Sequence, residues 1–308
     1  MVGSWLIKDL LARGAQVICL VQDADPQSEL LRSGDIARTE VVNGRLEDLG
    51  DVERAINGRE ADTVFHLGAQ TIVGTARRDP LGTLEANIRG TYHVLDVCRR
   101  HAGLVRRLVV ASSDKAYGTQ QKLPYVESMP LEGREPYEVS KSCADLLAQG
   151  YHRAYRLPVG ILRCGNIYGG GDLNWSRIVP GTIRSLVQGE RPIIRSDGRY
   201  VRDYLYVKDV VRACLAVADR LDNPKVQGQG FNFSPQKPLT VLDVVSAITR
   251  IMKAGALKPV IKNEAAGEIR DQYLSAAKAR RLLGWRATYG LEKGLTETVA
   301  WYREFFRG

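Results

Sequence analysis

The sequence predicts an α/β fold in which a doubly wound parallel sheet carries a smaller α/β lobe. Helical and strand periodicities alternate through the first half of the chain, as in consecutive strand–helix–strand units. Beyond residue 164 glycines become frequent and the strict alternation ends. The 308 residues suffice for an α/β core with an appended lobe, and the hydrophobic and charged fractions, 44% and 26%, are those of a globular protein.

Each predicted element follows from an apolar run with the period of a helix or of a buried strand. Helices are predicted at residues 3–13, 46–57, 81–101 and 137–156, and strands at 16–21, 40–42, 63–67, 107–111 and 159–163. Residues 165–172 are predicted to form a loop, because their glycines are too dense for a regular element.

Composition argues against several classes of protein. The basic residues behind the net charge of +9 are scattered, which favours a solvated surface over a nucleic-acid interface. The five cysteines are widely spaced and odd in number, so we expect buried free thiols, and the four histidines lack ligand spacing, so we expect no metal. Apolar runs are too short to span a bilayer and no charged leader precedes one, so a cytoplasmic location is expected.

One of three Tyr-x-x-x-Lys sequences has the setting of an active site. Tyr137 and Lys141 open a predicted helix, one turn apart on one face, and follow a strand that ends in Ser112-Ser113-Asp114-Lys115. An ammonium beside a phenol favours the phenolate, so Lys141 is expected to lower the pKa of Tyr137. Ser113, at the tip of the strand, could bridge a substrate hydroxyl to that phenolate.

This constellation resembles the extended short-chain dehydrogenase/reductase family, in particular its nucleotide-sugar epimerases and dehydratases, from residue 2 to the last helix. The resemblance implies a Rossmann-type dinucleotide-binding domain formed by residues 1–164 and part of 200–245. It implies a substrate-binding lobe formed mainly by residues 165–200 and 246–308. It also implies a homodimer in which the predicted helices 81–101 and 137–156 of two subunits form a four-helix interface.

The family's fold begins with a strand that runs into a glycine-rich turn, and the cofactor pyrophosphate rests on the following helix N-terminus. Gly3 matches the last glycine of that fingerprint. The first strand and the earlier glycines of the pattern are absent from this chain, and a misplaced start is a simpler expectation than a genuine truncation.

Further cofactor-binding residues are implied by the resemblance. Asp23 lies 20 positions after Gly3, where an acid would bind the adenosine ribose; this favours NAD, with NADP left open. Arg45 stands where the family has an acid beside the adenine, so that contact is in doubt. The other matching positions are Leu46, Leu67, Ala69, Gln70, Asn87, Tyr137 and Lys141.

The resemblance also implies the chemistry. Tyr137 would take the proton of the sugar 4-hydroxyl while the C4 hydride passes to the nicotinamide. Lys141 would lower the Tyr137 pKa and hold the nicotinamide ribose, and Ser113 would bind the reacting oxygen. Ser-Asp-Lys at this place is similar to the Thr-Asp-Lys of the CDP-glucose 4,6-dehydratase branch, with GDP-mannose 4,6-dehydratases also close. Asp114 would then be the acid for the C6 hydroxyl, and Lys115 would act near C5.

Three alternatives stay open at this point. Asp114 and Lys115 could form a surface ion pair after the strand. Residues 202–209 resemble the general epimerase pattern, so a 4-epimerase with the same Ser113, Tyr137 and Lys141 is the second hypothesis. A non-catalytic dinucleotide-binding protein is the third, although it would have no use for a tuned phenol.

Substrate recognition is expected in the second lobe. The resemblance assigns Asn166 to the sugar diphosphate, within a loop similar to that of the CDP-glucose branch. Arg202 and Arg270 are candidate diphosphate clamps, since a guanidinium can bind two phosphate oxygens at once, and Arg177 is a further candidate.

Overall fold

A computed structural model describes residues 1–264 and 269–307 of the chain. Its first part contains, in chain order, α1 (Val2–Ala12), β1 (Ile18–Val21), α2 (Glu29–Arg32), β2 (Glu40–Asn43), α3 (Leu49–Ile56), β3 (Thr63–His66), α4 (Val73–Arg78), α5 (Pro80–Leu84), α6 (Gly90–Arg100), β4 (Arg107–Ala111), α7 (Pro136–Tyr155) and β5 (Val159–Cys164).

The second part continues the numbering with shorter strands. It contains β6 (Asn166–Tyr168), α8 (Ile178–Val187), β7 (Ile193–Ile194), β8 (Val201–Arg202), β9 (Tyr204–Tyr206), α9 (Val207–Ala218), β10 (Gln229–Phe233), β11 (Leu239–Thr240), α10 (Val241–Ile251), β12 (Val260–Ile261), β13 (Asp271–Gln272), α11 (Ala277–Leu283) and α12 (Leu291–Phe305).

The central sheet is parallel, in the order β10-β5-β4-β3, and β1 pairs with β2 in a separate parallel sheet. Both faces of the central sheet are covered. Leu108 and Val110 of β4 pack into one core with α6 and α7, whereas Val109 packs into the opposite core with α9. A strand buried on both faces needs apolar residues at every position, which is why β4 reads as a continuous apolar run. The predicted α/β fold with a parallel sheet is confirmed.

The second lobe has small sheets of its own, β11-β8-β13 and β12-β7. A core of Ile183, Val244, Ile248 and Val299 joins α8, α10 and α12. β8 and β13 are parallel, with Gln272 opposite Arg202 in the register. This pairing brings the segment around residue 272 to the same lobe edge as the residues that follow β8.

The prediction of a loop at residues 165–172 is wrong for part of that stretch. β6 forms there and pairs in parallel with β9, with Asn166 opposite Tyr204 and Tyr168 opposite Tyr206. The hydrogen bonds come from a strand almost forty residues further along the chain, and the local glycine density carries no information about such a partner.

The predicted helix at 81–101 exists, but it is not a uniform α-helix. A π-helical turn, Glu85–Arg89, separates α5 from α6. Inserted turns of this kind turn a side chain towards a site that a regular helix would not reach. Here the turn carries the buried Asn87.

The five cysteines are free thiols, as predicted. Cys19, Cys98, Cys164 and Cys214 are buried, whereas Cys143 is partly exposed, contrary to the expectation of burial. Its position on α7 explains the difference, because that face of α7 is open in the single chain. In the described part of the chain, no helix has the length and hydropathy needed to cross a bilayer.

Candidate active site

The side chains predicted to be catalytic converge at the carboxyl end of β4. α7 begins at Pro136 and is capped by Glu135 and Glu138, which satisfy backbone amides at its N-terminus. The cap places Tyr137 and Lys141 in the first turns of α7, where both are at least nine-tenths buried. Parallel strands direct their carboxyl ends to the same edge of the sheet, and α-helix starts there supply the remaining groups.

Ser113 forms hydrogen bonds to three residues of this cluster. Its hydroxyl donates to the Asp114 carboxylate at 3.2 Å, accepts from the Lys115 amide at 3.2 Å, and hydrogen-bonds the Tyr137 phenol. Ser113, predicted to be catalytic, therefore also caps the 3-10 turn Asp114–Tyr117 while it contacts the phenol.

The pKa of Tyr137 differs from the prediction. Burial raises it to about 12, against the lowering effect of the hydrogen bond from Ser113. Lys141 is occupied elsewhere, since its Nζ donates to the Ala111 carbonyl oxygen at 3.0 Å, and burial lowers the pKa of Lys141 to about 8. Desolvation disfavours the charged form of both groups, and here it outweighs the attraction that the four-residue spacing suggested.

Asp114 and Lys115 do not form a surface ion pair, so that alternative is wrong. The Asp114 side chain is buried, and burial raises the pKa of its carboxyl, although the charges of Lys115 and Arg202 lower it in part. Lys115 is half-buried and donates from Nζ to the side-chain oxygen of Gln272. The same Gln272 donates from Nε2 to the Asp114 carbonyl oxygen at 2.9 Å.

Asn87 holds the segment after β3 against α7. Its Oδ1 accepts from the Gln70 amide at 2.7 Å, and its Nδ2 donates to the Gln70 carbonyl and to Ser140 Oγ, both at 2.9 Å. With three bonds to protein groups, Asn87 acts on the site by fixing Gln70.

A neutral histidine adjoins this cluster. His66, at the end of β3, bonds Thr91 at 2.9 Å. Burial, and then the charge of Lys141, lower its pKa to about 3. Two neighbouring cations in one buried site would repel each other, and the imidazole therefore stays uncharged beside Lys141.

Most of the other positions predicted to bind a cofactor follow the carboxyl ends of β1, β2 and β3. Gly3 lies in the first turn of α1, and a Cβ built there meets nothing within 4 Å. Asp23 follows β1 and is exposed. Leu46 is packed beneath Gly68 and Gly90, where an added Cβ would come within 2.8 and 2.7 Å of its side chain. Leu67 and Ala69 are half-buried.

The predicted substrate residues have different environments. The backbone amide of Asn166 donates to the Asp203 carbonyl at 3.1 Å. Arg177 precedes α8, pairs with Asp172 at 3.1 Å and is close enough to Tyr137 to lower the phenol pKa. Arg270 is exposed. Its backbone carbonyl is one of the partners of Arg202.

The guanidinium of Arg202 is buried against backbone oxygens. It donates to the carbonyls of Val201 at 2.8 Å and Arg270 at 2.6 Å, and to that of Ile269. Arg202 is 6% exposed. In this structure it stabilises the β8–β13 edge and lowers the pKa of Asp114, rather than presenting a free fork to an anion.

Two residues of the site were not singled out from the sequence. Gln272 lies 157 positions from Lys115 and no local pattern marks it, so only the tertiary contact reveals it. Asp203 is 1% exposed, accepts from the Leu274 amide at 2.7 Å and has its pKa raised to about 6, mainly by burial. An acid inside the apolar run around residue 203 was the signal that could have identified it.

The cluster brings together groups that can carry out acid–base chemistry. It has a phenol and a hydroxyl that share one hydrogen bond, a carboxyl whose pKa is raised, and a lysine held by a neutral amide. Perturbed groups gathered at the end of parallel strands are typical of a catalytic site.

Comparisons with known proteins agree with this geometry. Residues 1–232 match the model of the "NAD dependent epimerase/dehydratase family". The chain is 29% identical to the CDP-glucose 4,6-dehydratase of Salmonella typhimurium, over 99% of this chain and 89% of that protein. It is 32% identical to a dTDP-glucose 4,6-dehydratase of Streptomyces antibioticus, over 91% of this chain and 78% of that protein.

Among solved structures, the chain is similar to the UDP-glucose 4-epimerase of Thermotoga maritima, which was determined with UDP-glucose. The TM-score is 0.90 at 28% identity, and the similarity covers 99% of this chain and 96% of the other. The chain is therefore similar both to 4,6-dehydratases and to a 4-epimerase.

Proposed function

This chain belongs to the NAD-dependent epimerase/dehydratase family, and from that premise we propose that it is a nucleotide-sugar 4,6-dehydratase, which converts an NDP-hexose into an NDP-4-keto-6-deoxyhexose. The observation that carries the choice is the state of Asp114. A typical 4-epimerase needs no further acid beyond the phenol, whereas a dehydratase must protonate the departing C6 hydroxyl. Asp114 is buried and bonded to Ser113, and burial raises the pKa of its carboxyl, which favours a proton donor.

The residues present fit NAD. The helix start at Gly3 leaves open space next to backbone amides, where a pyrophosphate could approach, and the exposed Asp23 suits a ribose hydroxyl. Gln70, fixed by Asn87, and the pair Tyr137 and Lys141 would hold the nicotinamide side. When bound, NAD supplies a hydride acceptor and donor. NADP remains the alternative cofactor.

The protein's own side chains would handle every proton of the reaction. Tyr137 would accept the proton of the sugar 4-hydroxyl as a phenolate, and Ser113 would hold that oxygen. Burial disfavours the phenolate in this structure, whereas the Ser113 hydrogen bond and the charge of Arg177 favour it. The 4-keto group then makes the C5 proton acidic, and Lys115 takes it. Asp114 gives its proton to the C6 hydroxyl, the C6–O bond breaks, water leaves and a C5–C6 double bond forms. Lys115 would then return its proton to C5 as the hydride removed from C4 is delivered to C6, which gives the 4-keto-6-deoxy product. Tyr137 ends with one proton more and Asp114 with one fewer, and exchange with solvent would restore both.

The 4-epimerase remains the second candidate, and a specific similarity favours it. The fold matches the Thermotoga maritima UDP-glucose 4-epimerase at a TM-score of 0.90. An epimerase would use Ser113, Tyr137 and Lys141 in the same way and would leave Asp114 and Lys115 without a role. Their buried, bonded arrangement is the reason to prefer the dehydratase.

The two lobes would bind different ligands. The dinucleotide would bind residues 1–164 with part of 200–245, which is supported by the pairing of β10 with β5 in the central sheet. The sugar nucleotide would bind mainly residues 165–200 and 246–308. Asn166, Arg177 and the exposed Arg270 would meet the sugar diphosphate, whereas Arg202 would serve as a clamp only if its carbonyl contacts were exchanged for phosphate.

We further propose a homodimer that is formed by α6 and α7 of two subunits. An open groove of about 560 Å³ runs along α7 and is lined by the apolar residues Ile88, Leu146, Leu147, Tyr151, Ala154 and Tyr155. Leu146 is 54% and Tyr155 58% exposed. Exposed apolar side chains along α7, beside the turn that carries Ile88, suit a four-helix interface that α6 and α7 would form with a second copy. The free thiols suit a reducing, cytoplasmic setting.

The test is mass spectrometry of products after incubation with CDP-glucose, dTDP-glucose, GDP-mannose and UDP-glucose, with NAD or NADP supplied. We expect one substrate to lose one water, which would identify base and hexose together. An unchanged mass with a new sugar in the hydrolysate would make the protein an epimerase.

A Tyr137→Phe variant tests whether the phenol is the acid–base group of that activity. Removing a general acid–base group costs about 10²- to 10⁴-fold in rate, so we expect kcat to fall within that range while the unfolding midpoint stays near that of the wild type. Tyr155→Phe, which changes an exposed tyrosine of the same helix, is the matched control. Full activity in Tyr137→Phe would contradict the mechanism.

A further inference from the structure

We propose that Gln272 is a positioning residue for the elimination step, holding Asp114 and Lys115 in the arrangement that removes water from the sugar. The inference rests on the proposed dehydratase function and extends it to a residue of the second lobe. Gln272 lies on β13 and is fully buried. Both the oxygen and the nitrogen of its side-chain amide form hydrogen bonds to the segment after β4.

The first half of the argument is the backbone contact. Gln272 Nε2 donates to the Asp114 carbonyl at 2.9 Å, in a fully buried setting. Asp114 begins a 3-10 turn of four residues, Asp114–Tyr117, and short 3-10 turns have poor internal hydrogen-bond geometry. A donor from another lobe therefore fixes the orientation of the turn that carries the acid, and the Ser113 hydroxyl then bonds the carboxylate at 3.2 Å.

The second half is the side-chain contact. Gln272 Oε1 accepts from Lys115 Nζ. Because the other end of the same amide holds the Asp114 backbone, Gln272 sets the position of the ammonium relative to the acid. The electrostatic effect of Lys115 on the Asp114 carboxyl shows that the two groups are near each other.

The neighbourhood of Gln272 is itself braced. Gln272 lies opposite Arg202 in the β13–β8 register. The Arg202 guanidinium bonds the carbonyls of Ile269 and Arg270, just before β13. Asp203 accepts from the Leu274 amide at 2.7 Å, just after it. Hydrogen bonds therefore hold the chain both before and after β13, and such support is what a positioning residue requires.

This assignment separates two halves of the reaction. Oxidation at C4 uses Tyr137 and Ser113, whereas water loss uses Asp114 and Lys115. A defect in Gln272 should therefore slow water loss more than oxidation. A residue that only supported the fold would slow both halves alike.

The experiment measures both halves on Gln272→Met, which keeps the size of the side chain and removes both hydrogen bonds. Water loss is read from product mass, and C4 oxidation from the absorbance of reduced nicotinamide in a single turnover. We expect kcat for water loss to fall about 10- to 100-fold, as for lost hydrogen bonds to reacting groups, with less effect on oxidation and on KM. The matched control is Gln227→Met, which removes an amide bond to the Leu221 carbonyl far from the site.

Gln272→Glu is the second variant and covers the case in which the methionine variant does not fold. It retains an acceptor for Lys115 but loses the donor to Asp114 and adds a negative charge, so water loss should again fall relative to oxidation. Equal losses in both halves, or an effect confined to KM, would overturn the inference while the wild type still dehydrates. A wild type that never releases water would overturn the proposed function, and the inference with it.

Discussion

Tyr137, Asp114 and Asp203 are neighbouring acids in one buried region, and burial raises the pKa of each. Desolvation penalises the charged form of every acid, so the groups are favoured in their protonated forms unless a partner compensates. Ser113 gives part of that compensation to both Tyr137 and Asp114. For Asp114 the result suits a proton donor, which is the role that the dehydratase requires.

Asp203 should make stability depend on pH. Its pKa rises from 3.8 to about 6 on folding, so the folded state holds the proton more tightly. The resulting stabilisation, about 3 kcal/mol at most, is complete below pH 3.8 and is lost as the pH rises through 6. We expect the free energy of unfolding of the wild type to fall between about pH 4 and 7 relative to Asp203→Asn, measured by urea denaturation.

The control for this measurement is the exposed Asp219, whose replacement by asparagine should leave the pH dependence unchanged. Parallel curves for wild type and Asp203→Asn across that interval would show that the carboxyl titrates alike in the folded and unfolded states.

At the level of elements, the π-helical turn between α5 and α6 decides how the end of β3 meets α7. The turn presents Asn87, which is 1% exposed, to Gln70 and Ser140 at the same time. A regular helix over residues 81–101, as the periodicity predicted, would rotate that side chain away from its partners. The interruption is therefore a requirement of the site.

Replacing Asn87 by alanine tests the contact that Asn87 makes between the segment after β3 and α7. Three hydrogen bonds are lost, and the Gln70 backbone and the Ser140 hydroxyl lose a buried partner. We expect a destabilisation of about 2–4 kcal/mol, measured by urea denaturation, and weaker NAD binding, because Gln70 is released. The exposed Asn57→Ala should stay within about 0.5 kcal/mol of the wild type. A neutral Asn87→Ala would remove the positioning role.

At the scale of the whole molecule, contacts between distant parts of the chain complete the site. Gln272 reaches the turn after β4 from the second lobe. Trp5 of α1 donates to the Gly170 carbonyl at 2.8 Å, and Tyr302 of α12 donates to the Asp172 carbonyl at 2.6 Å, so α1 and α12 both hold the loop before Arg177. We therefore expect the loss of any one of these long-range contacts to disturb the positions of the active-site side chains.

The proposed dimer can be tested at the same scale. Leu146→Glu places a charge in the apolar groove of α7. We expect this variant to sediment as a monomer where the wild type sediments as a dimer, because an unpaired charge is costly in an apolar interface. Ile193→Glu, at a similarly exposed apolar position of the second lobe, is the control and should stay dimeric. A dimer that survives Leu146→Glu would place the interface elsewhere.

Much of this protein was determined by the sequence alone. Apolar runs marked the parallel strands, because strands buried on both faces need apolar residues throughout, and the Tyr137–Lys141 step marked the site, because four residues make one helical turn. Only the tertiary structure decided the rest. The pKa of Tyr137 depends on burial, β6 depends on β9, and Gln272 meets Lys115 across 157 positions. Desolvation and long-range strand pairing arise only in the folded chain, and therefore the local spacing of residues does not predict them.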